Sequence, residues 1–217
     1  MSELVGGLVL AAGAAARFGS NKLLARLEGR PLLQHVLDAV AAAGLRDVVV
    51  VLGEAADEIE RAIAWRGERR VRNPHPEAGL SSSLRIGLAT LAALDHEVAG
   101  GRERCSGALV LLGDQPRVRP AVIGRLLAEA ARPGHAERPI VIPRYAGGGG
   151  SNPVLLRRTA WPLAETLAGD RGMGPLIASH PELVHEVPVA GDNPDVDTPD
   201  DLERLARLAR PSGPGGA

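Results

Sequence analysis

LVLAAGAAARFGSNKLL, residues 8–24, is the stretch whose reading decides the fold. An apolar strand, Leu8 to Leu10, runs straight into a loop of Gly and Ala. The loop ends in Arg17, a second glycine at Gly19, and Lys22. Small residues let backbone N–H groups approach a ligand closely. Successive N–H groups in such a loop form a concavity that attracts anions. Arg17 and Lys22 add two positive charges at its rim, so the pattern describes a polyphosphate site. A tight turn between a buried strand and a helix, with two solvated basic side chains, gives the same pattern. Two commoner phosphate loops do not fit. The Walker loop needs Gly-Lys followed by Ser or Thr, whereas Ser20 and Asn21 separate Gly19 from Lys22, and Leu23 follows. The dinucleotide fingerprint needs three glycines, and the middle positions here are alanines.

Strand and helix patterns alternate outward from this loop. Leu32, Leu33, Val36, Leu37 and Val40 recur at helical spacing behind Pro31, with Gly44 as a stop. Val48 to Leu52 is an unbroken apolar run, as in a strand covered on both faces. A helix over about 55–64, a short strand at Val71 and a helical stripe of Leu80, Leu84, Leu88 and Leu91 come next. Ala108 to Leu112 reads as a third buried strand, followed by a helix over about 121–131. Strands are expected at Ile140 to Ile142 and Val154 to Leu156, and helices near 160–167 and 173–179. An edge strand is expected at Leu183 to Val187. Pro199 opens a final helix with Asp197 or Thr198 as its cap. Such alternation predicts an α/β chain with a doubly wound, mostly parallel sheet and helices on both faces. Residues 1–210 read as one domain and residues 211–217 as a disordered Gly/Pro tail.

Composition narrows the function classes. The chain has 217 residues, enough for a full core, and a formal net charge of −1. Neither a nucleic-acid footprint nor membrane-surface attraction is indicated. Aromatic residues make up only 2%, too few for a base-stacking surface. No run approaches membrane-spanning length, and the chain reads as cytoplasmic. Its one cysteine, Cys105, lies in a polar setting and is expected to be an incidental exposed thiol in a loop. The six histidines show no metal-ligand spacing.

Candidate chemistry falls after strand ends, where ligands of doubly wound sheets sit. Asp114 directly follows the third buried strand, in Leu-Leu-Gly-Asp-Gln-Pro. A carboxylate there can hold a hard cation such as Mg²⁺ beside phosphate oxygens, or can simply shape a turn. The segment DNPDVDTPDD, residues 192–201, crowds five aspartates. Helix capping explains Asp200 and Asp201. Asp195 and Asp197 alternate about Val196. Three serines, Ser81 to Ser83, open the helix at Leu80; one suffices as a cap, and free N–H groups beside hydroxyls can read a base edge or ribose. Asn152 lies in Gly-Ser-Asn-Pro, as a turn residue or an acceptor contact. Arg171 lies in Gly-Asp-Arg-Gly, able to meet an acceptor phosphate or to pair with Asp170.

The run Leu10 to Lys22 resembles the L-A-A-G-x-x-x-R-[FM]-G-x-x-K signature of the MobA-like nucleotidyltransferases, with Gly13, Arg17, Gly19 and Lys22 in register. Its nearest likeness is to the molybdenum cofactor cytidylyltransferase branch. The resemblance implies a Rossmann-like nucleotidyltransferase fold, with residues about 140–195 on the acceptor side. It implies Arg17, Lys22 and Asp114 as catalytic residues. It implies Leu10, Ala11, Ala12, Gly13, Arg17, Lys22, Gly79 and Ser83 against the nucleotide, and Asn152 and Arg171 against the acceptor. Asp114 and Asp197, with Asp195 as substitute, would hold Mg²⁺. The Ala-Ala-Gly version of the loop accompanies cytidine enzymes in this family, and Ala-Gly-Gly accompanies guanosine ones. The implied reaction joins CMP from CTP to a phosphate acceptor, the molybdopterin-molybdenum cofactor, with a molybdenum hydroxylase as recipient. A sibling enzyme using GTP or another small phosphate, and a non-catalytic delivery protein, are the alternatives. Relatives carry Gly-His-Pro where this chain has Ser151-Asn152-Pro153, a departure that bears on the acceptor.

Overall fold

The computed structural model describes residues 4–13, 18, 21–97, 105–132, 137–170 and 172–209. Arg17, Gly19, Arg171 and the tail expected from 211 lie outside the described residues.

Three parallel strands carry the first half of the sheet. They are β1 (Leu4–Ala11), then β4 (Val48–Leu52) and β5 (Arg69–Arg72), following a small hairpin of β2 (Arg26–Leu27) and β3 (Arg30–Pro31). On the other side of β1 lie β6 (Cys105–Leu112), β7 (Ile140–Tyr145), β8 (Val154–Arg157) and β9 (Val184–Val189). The sheet order is β5-β4-β1-β6-β8-β7-β9. Among the described strands of this sheet, only β8 runs antiparallel to its neighbours, β6 and β7. The mostly parallel doubly wound sheet is therefore as expected, with β9 at its edge.

Burial follows the strand period of two. Val9 and Ala11, Val48, Val50 and Leu52, and Leu109 and Leu111 face one core. That core is closed by α1 (Leu32–Ala42), α2 (Ala56–Ala62) and α4 (Pro120–Ala130). Leu8 and Leu10, Val49 and Val51, and Ala108 and Val110 face the other. There α3 (Leu80–Glu97), α5 (Trp161–Glu165) and α6 (Gly174–Ser179) pack. The interior strand β4 is buried at every position, which is why it reads as an unbroken apolar run. A third, smaller cluster joins Leu27 and Leu32 to Val196 and to Leu205 of α7 (Pro199–Ala209). This contact brings the C-terminal segment beside residues 21–24.

Two features differ from the sequence reading. Cys105 is buried rather than exposed: it opens β6, pairs with Leu4, and its thiol donates to the Gly107 carbonyl (3.0 Å). The strand starts three residues earlier than its apolar run because β1 offers pairing partners there. The β2–β3 hairpin was not expected either. Its turn is Glu28-Gly29, with φ of 50° and 80°, the sign pattern of a tight two-residue hairpin. A glutamate in that position is a weak signal, and strands of two residues have no visible period. Among the described residues no helix is long and apolar enough to cross a membrane.

Candidate active site

The strand order reverses at β1. From β1 the chain moves through α1 to β4 on one side, and later returns to β6 on the other. The carboxyl ends of β1 and β6 thus flank a crevice. An open cleft of about 770 Å³ lies there. Leu10 to Gly13 form part of its lining, with Lys22, Asp114 and Asp197 on one side and Gly79 and Ser83 on another.

Local chemistry sets each side chain. Asn21 caps the short 3₁₀ turn Lys22–Leu24, accepting from the Leu23 N–H at 3.2 Å. Asp114 lies two residues past β6. Gly113 N–H donates to the Leu10 carbonyl (2.9 Å), and Val196 N–H donates to the Asp114 carbonyl (3.1 Å). Those two bonds tie the ends of β1 and β6 to the aspartate-rich segment. Thr198 caps α7 in a reciprocal box with Asp201: the Asp201 carboxylate accepts from Thr198 N–H (2.9 Å) and from Asp197 N–H (3.2 Å). Asp197 is therefore held at the lip of a helix.

These constraints converge on one charge cluster. Lys22 Nζ lies 2.6 Å from Asp114 Oδ2 and 3.0 Å from Asp197 Oδ1. The lysine and Asp114 side chains are only 14% and 19% exposed. Burial pulls the Lys22 pKa down, but Asp114 and Asp197 outweigh it and hold the ammonium above its ordinary range. Asp114 Oδ1 is buried and accepts no hydrogen bond among the described residues. Asp195 faces elsewhere: its Oδ1 accepts from Gln115 Nε2 at 2.7 Å. Burial first, then the nearby Asp114 and Asp197, push its carboxyl above the usual range against the Gln115 bond and Lys22. Of the two aspartates around Val196, it is Asp197 that meets Lys22.

The start of α3 is less open than its serines imply. Leu80 N–H donates to Asp170 Oδ1 (3.2 Å) and Ser81 N–H to the Gly169 carbonyl (3.1 Å). The Gly-Asp segment expected on the acceptor side thus caps this helix and lines the cleft. Gly79 has φ 88°, and a Cβ there would lie 2.4 Å from the Gly169 carbonyl carbon. Only glycine fits between the helix and its cap. Asp170 was not singled out because its partner lies ninety residues away in the chain. Ser83 lines the cleft; Ser81 and Ser82 do not.

Asn152 is not in the cleft lining. Its carbonyl accepts from Tyr145 Oη (3.0 Å) and Asn193 Nδ2 (3.4 Å). Asn193 Nδ2 also donates to Gln115 Oε1 (3.1 Å), so the network reaches Asp195. Burial pushes the Tyr145 hydroxyl up to about 12, and it stays a donor. The sequence reading missed Gln115, Asn193 and Tyr145. Gln115 alone had a signal, its place beside Asp114.

A model of the MobA-like NTP transferase domain matches residues 7–184. The chain belongs to that family. This MobA-like chain is a nucleotidyltransferase. It is 30% identical over 209 residues to the nicotine blue oxidoreductase of Paenarthrobacter nicotinovorans, covering 93% of this chain and 96% of that one. The crystal structure of Rv0371c from Mycobacterium tuberculosis H37Rv is 32% identical, with a TM-score of 0.78 over 95% of this chain and 99% of that one. The same mycobacterial protein has been solved in complex with manganese. A nucleotidyl transferase from Methanothermobacter thermautotroptrophicus superposes with a TM-score of 0.74 at 25% identity, over 94% of this chain and 97% of that one. The MobA-like fold thus extends beyond the matched domain to most of this chain.

Proposed function

We propose that this chain transfers a cytidylyl group from CTP to a phosphate-bearing acceptor, the molybdopterin-molybdenum cofactor, and releases pyrophosphate. The observation that carries the reading is the convergence of Asp114 and Asp197 on Lys22, beside the Ala-Ala-Gly end of β1. The donor set suits a divalent cation. Asp114 has a buried oxygen without a partner among the described residues, and its other oxygen faces the same point as Asp197. Two carboxylates rather than a full cage suit Mg²⁺, which keeps waters and takes phosphate oxygens. Manganese in the mycobacterial relative supports a divalent ion here. Held by Asp114 and Asp197, the cation would supply charge neutralisation on the phosphates.

An acceptor phosphate oxygen forms a bond to the α-phosphorus, and the bond from that phosphorus to the bridging oxygen breaks. The leaving pyrophosphate takes the electron pair. The acceptor is already an anion, so no general base is needed. Lys22 is a full cation and turns from its carboxylates toward the phosphates. Arg17, outside the described residues, is assigned the same task from its place in the motif. Leu10 to Gly13, Gly79 and Ser83 hold the nucleotide. Catalysis is then alignment and charge stabilisation. Residues 1–210 act as one unit, with 140–195 on the acceptor side. Arg171 is assigned to the acceptor phosphate from its motif alone. Asn152 orders that side through its carbonyl rather than by reaching the cleft. A cytoplasmic setting and a molybdenum hydroxylase as recipient fit this reading.

The Paenarthrobacter relative favours a second reading, since its name is that of an oxidoreductase. The test is pyrophosphate release with Mg²⁺, each of four nucleoside triphosphates, and the molybdenum cofactor as acceptor. Acceptor-dependent release with CTP alone is expected. Release with GTP would move the protein to the guanylyl side. CTP binding without release would favour a delivery protein. Oxidation of NAD(P)H with a reducible aromatic substrate, without pyrophosphate release, would favour the second reading.

A further inference from the structure

Asn73 directly follows β5, opens its connection to α3, and is 4% exposed. Its amide orientation is fixed by the main chain: Oδ1 accepts from His75 N–H at 2.9 Å, and an N–H can only donate. Nδ2 is therefore the donor end, and it has two protons. One goes to Ser82 Oγ (2.7 Å), the other to Ser83 Oγ (2.9 Å). Both hydroxyls must then place their own protons elsewhere. Ser82 Oγ has one proton to give and two carbonyls within reach, Gly79 at 2.8 Å and His75 at 3.2 Å. The Gly79 carbonyl, one turn back, is also where a helical serine such as Ser83 ordinarily donates. It accepts from Ser82 N–H (3.1 Å) and is the nearer of two acceptors for Ser82 Oγ. Among the described residues the Ser83 proton meets no acceptor. Ser83 is 2% exposed and lines the cleft.

We infer that Asn73 is a positioning residue that holds the Ser83 hydroxyl as a hydrogen-bond donor into the cleft, so the site selects a base edge presenting an acceptor there. A carbonyl oxygen or an unprotonated ring nitrogen, as on the cytosine edge, satisfies this requirement. A base that presents an N–H can meet only the remaining lone pair of Oγ, which turns the Ser83 proton away from the cleft and leaves it unpaired. The inference rests on the nucleotide reading of the cleft. Asn73 never touches the base; it sets the direction of a hydroxyl that otherwise rotates freely.

The test uses the whole protein with Mg²⁺ and each of the four nucleoside triphosphates, with Kd from calorimetry and Tm recorded for every variant. Asn73→Asp keeps the shape and the bond to His75 N–H, but its carboxylate only accepts, so Ser83 must turn its proton back. The preferred triphosphate should lose about tenfold in affinity, the worth of one hydrogen bond. The ratio of affinities between the best and worst bases should fall toward one. Ser83→Ala should give the same loss, and Asn73→Asp with Ser83→Ala no more than either alone. A merely structural Asn73 would lower Tm and weaken all bases equally, leaving the ratio intact; that result overturns the inference. So does an unchanged Kd in Asn73→Asp. If Asn73→Asp does not fold, Asn73→Ala, which also removes the donor to Ser83 Oγ, takes its place. A tenfold loss with a lower base ratio supports the inference, and unchanged binding overturns it. Failure of the wild-type protein to bind any triphosphate instead overturns the nucleotide reading itself, and this inference with it.

Discussion

Lys22 serves as counterion to two carboxylates at once, and this double role decides what its loss does. Lys22→Ala leaves Asp114 and Asp197 facing each other with no cation between them. Lys22 and Asp114 are mostly buried while Asp197 is 55% exposed and screened by solvent, so the cost is on the order of 1–2 kcal/mol, between that of surface and fully buried pairs. Lys22→Ala should therefore melt lower in metal-free buffer and recover on adding Mn²⁺ or Mg²⁺, measured by thermal unfolding with and without chelator. No recovery would count against a cation site at the two aspartates. Asp114→Asn should fold and lose at least ~100-fold in turnover, the scale of removing a charge-stabilising group. Steady-state pyrophosphate release checks this, and full activity would remove Asp114 from the mechanism. Residue types made Lys22 and Asp114 legible in sequence: a lysine closing a Gly/Ala loop and an aspartate after an apolar run. The choice between Asp195 and Asp197 was not legible. Both flank Val196, which is wholly buried, and the decision lies with Gln115, which takes Asp195 for itself.

Two helices show how the site is held in place at the scale of elements. The Thr198–Asp201 box fixes the start of α7 and, through the Asp197 N–H, the backbone of a candidate ligand. Asp201→Ala should cost about 1 kcal/mol as a lost cap. It should also lower turnover without touching substrate; wild-type turnover would separate the cap from the site. On α1, Asp38 accepts from Gln34 Nε2 (2.9 Å), Arg30 (2.8 Å) and Arg66 (2.5 Å). Burial would raise its pKa, but the Gln34 bond and then Arg66 and Arg30 outweigh it and hold the carboxyl below its ordinary value. A depressed folded pKa stabilises above the unfolded value, and the gain disappears as pH falls through the folded one. Asp38→Asn should therefore melt about 2–4 °C lower at pH 7, the effect of ~1 kcal/mol in a chain of this size. The gap should narrow as pH falls below the ordinary carboxyl range and close once the folded wild-type carboxyl is protonated too. A gap that persists in acid would assign the loss to packing. Long elements with clear periods were readable from sequence, and so was the capping of α7. The antiparallel course of β8 was not, because a four-residue run that is almost wholly buried reads the same in either direction.

At the scale of the whole molecule, the cleft is lined by segments from both ends of the chain: Leu10 to Gly13, the 76–80 turn with Ser83, Asp114, Gly169-Asp170 and Asp197. Each expected site residue announces only itself in sequence. That the Gly169-Asp170 loop closes over α3 follows from packing between distant segments, which no local pattern records. A ligand in this cleft binds the folded chain and not the unfolded one, so it must raise stability by mass action. At a hundred times its Kd the gain is about 2.7 kcal/mol, or roughly 5–10 °C in Tm for a chain of this length. Because the lining spans the sheet, that gain should appear as an upward shift of one cooperative transition, not as the splitting off of a stabilised half. CTP with Mg²⁺ should give the full shift. CTP with chelator should give a smaller one, since the phosphates then meet two aspartates without a cation between. In Asp114→Asn the difference between those two conditions should vanish while the metal-free shift remains. Differential scanning calorimetry reads all three. Two separated transitions would refute one unit over residues 1–210, and an equal shift with and without cation in the wild-type protein would remove the metal from the site.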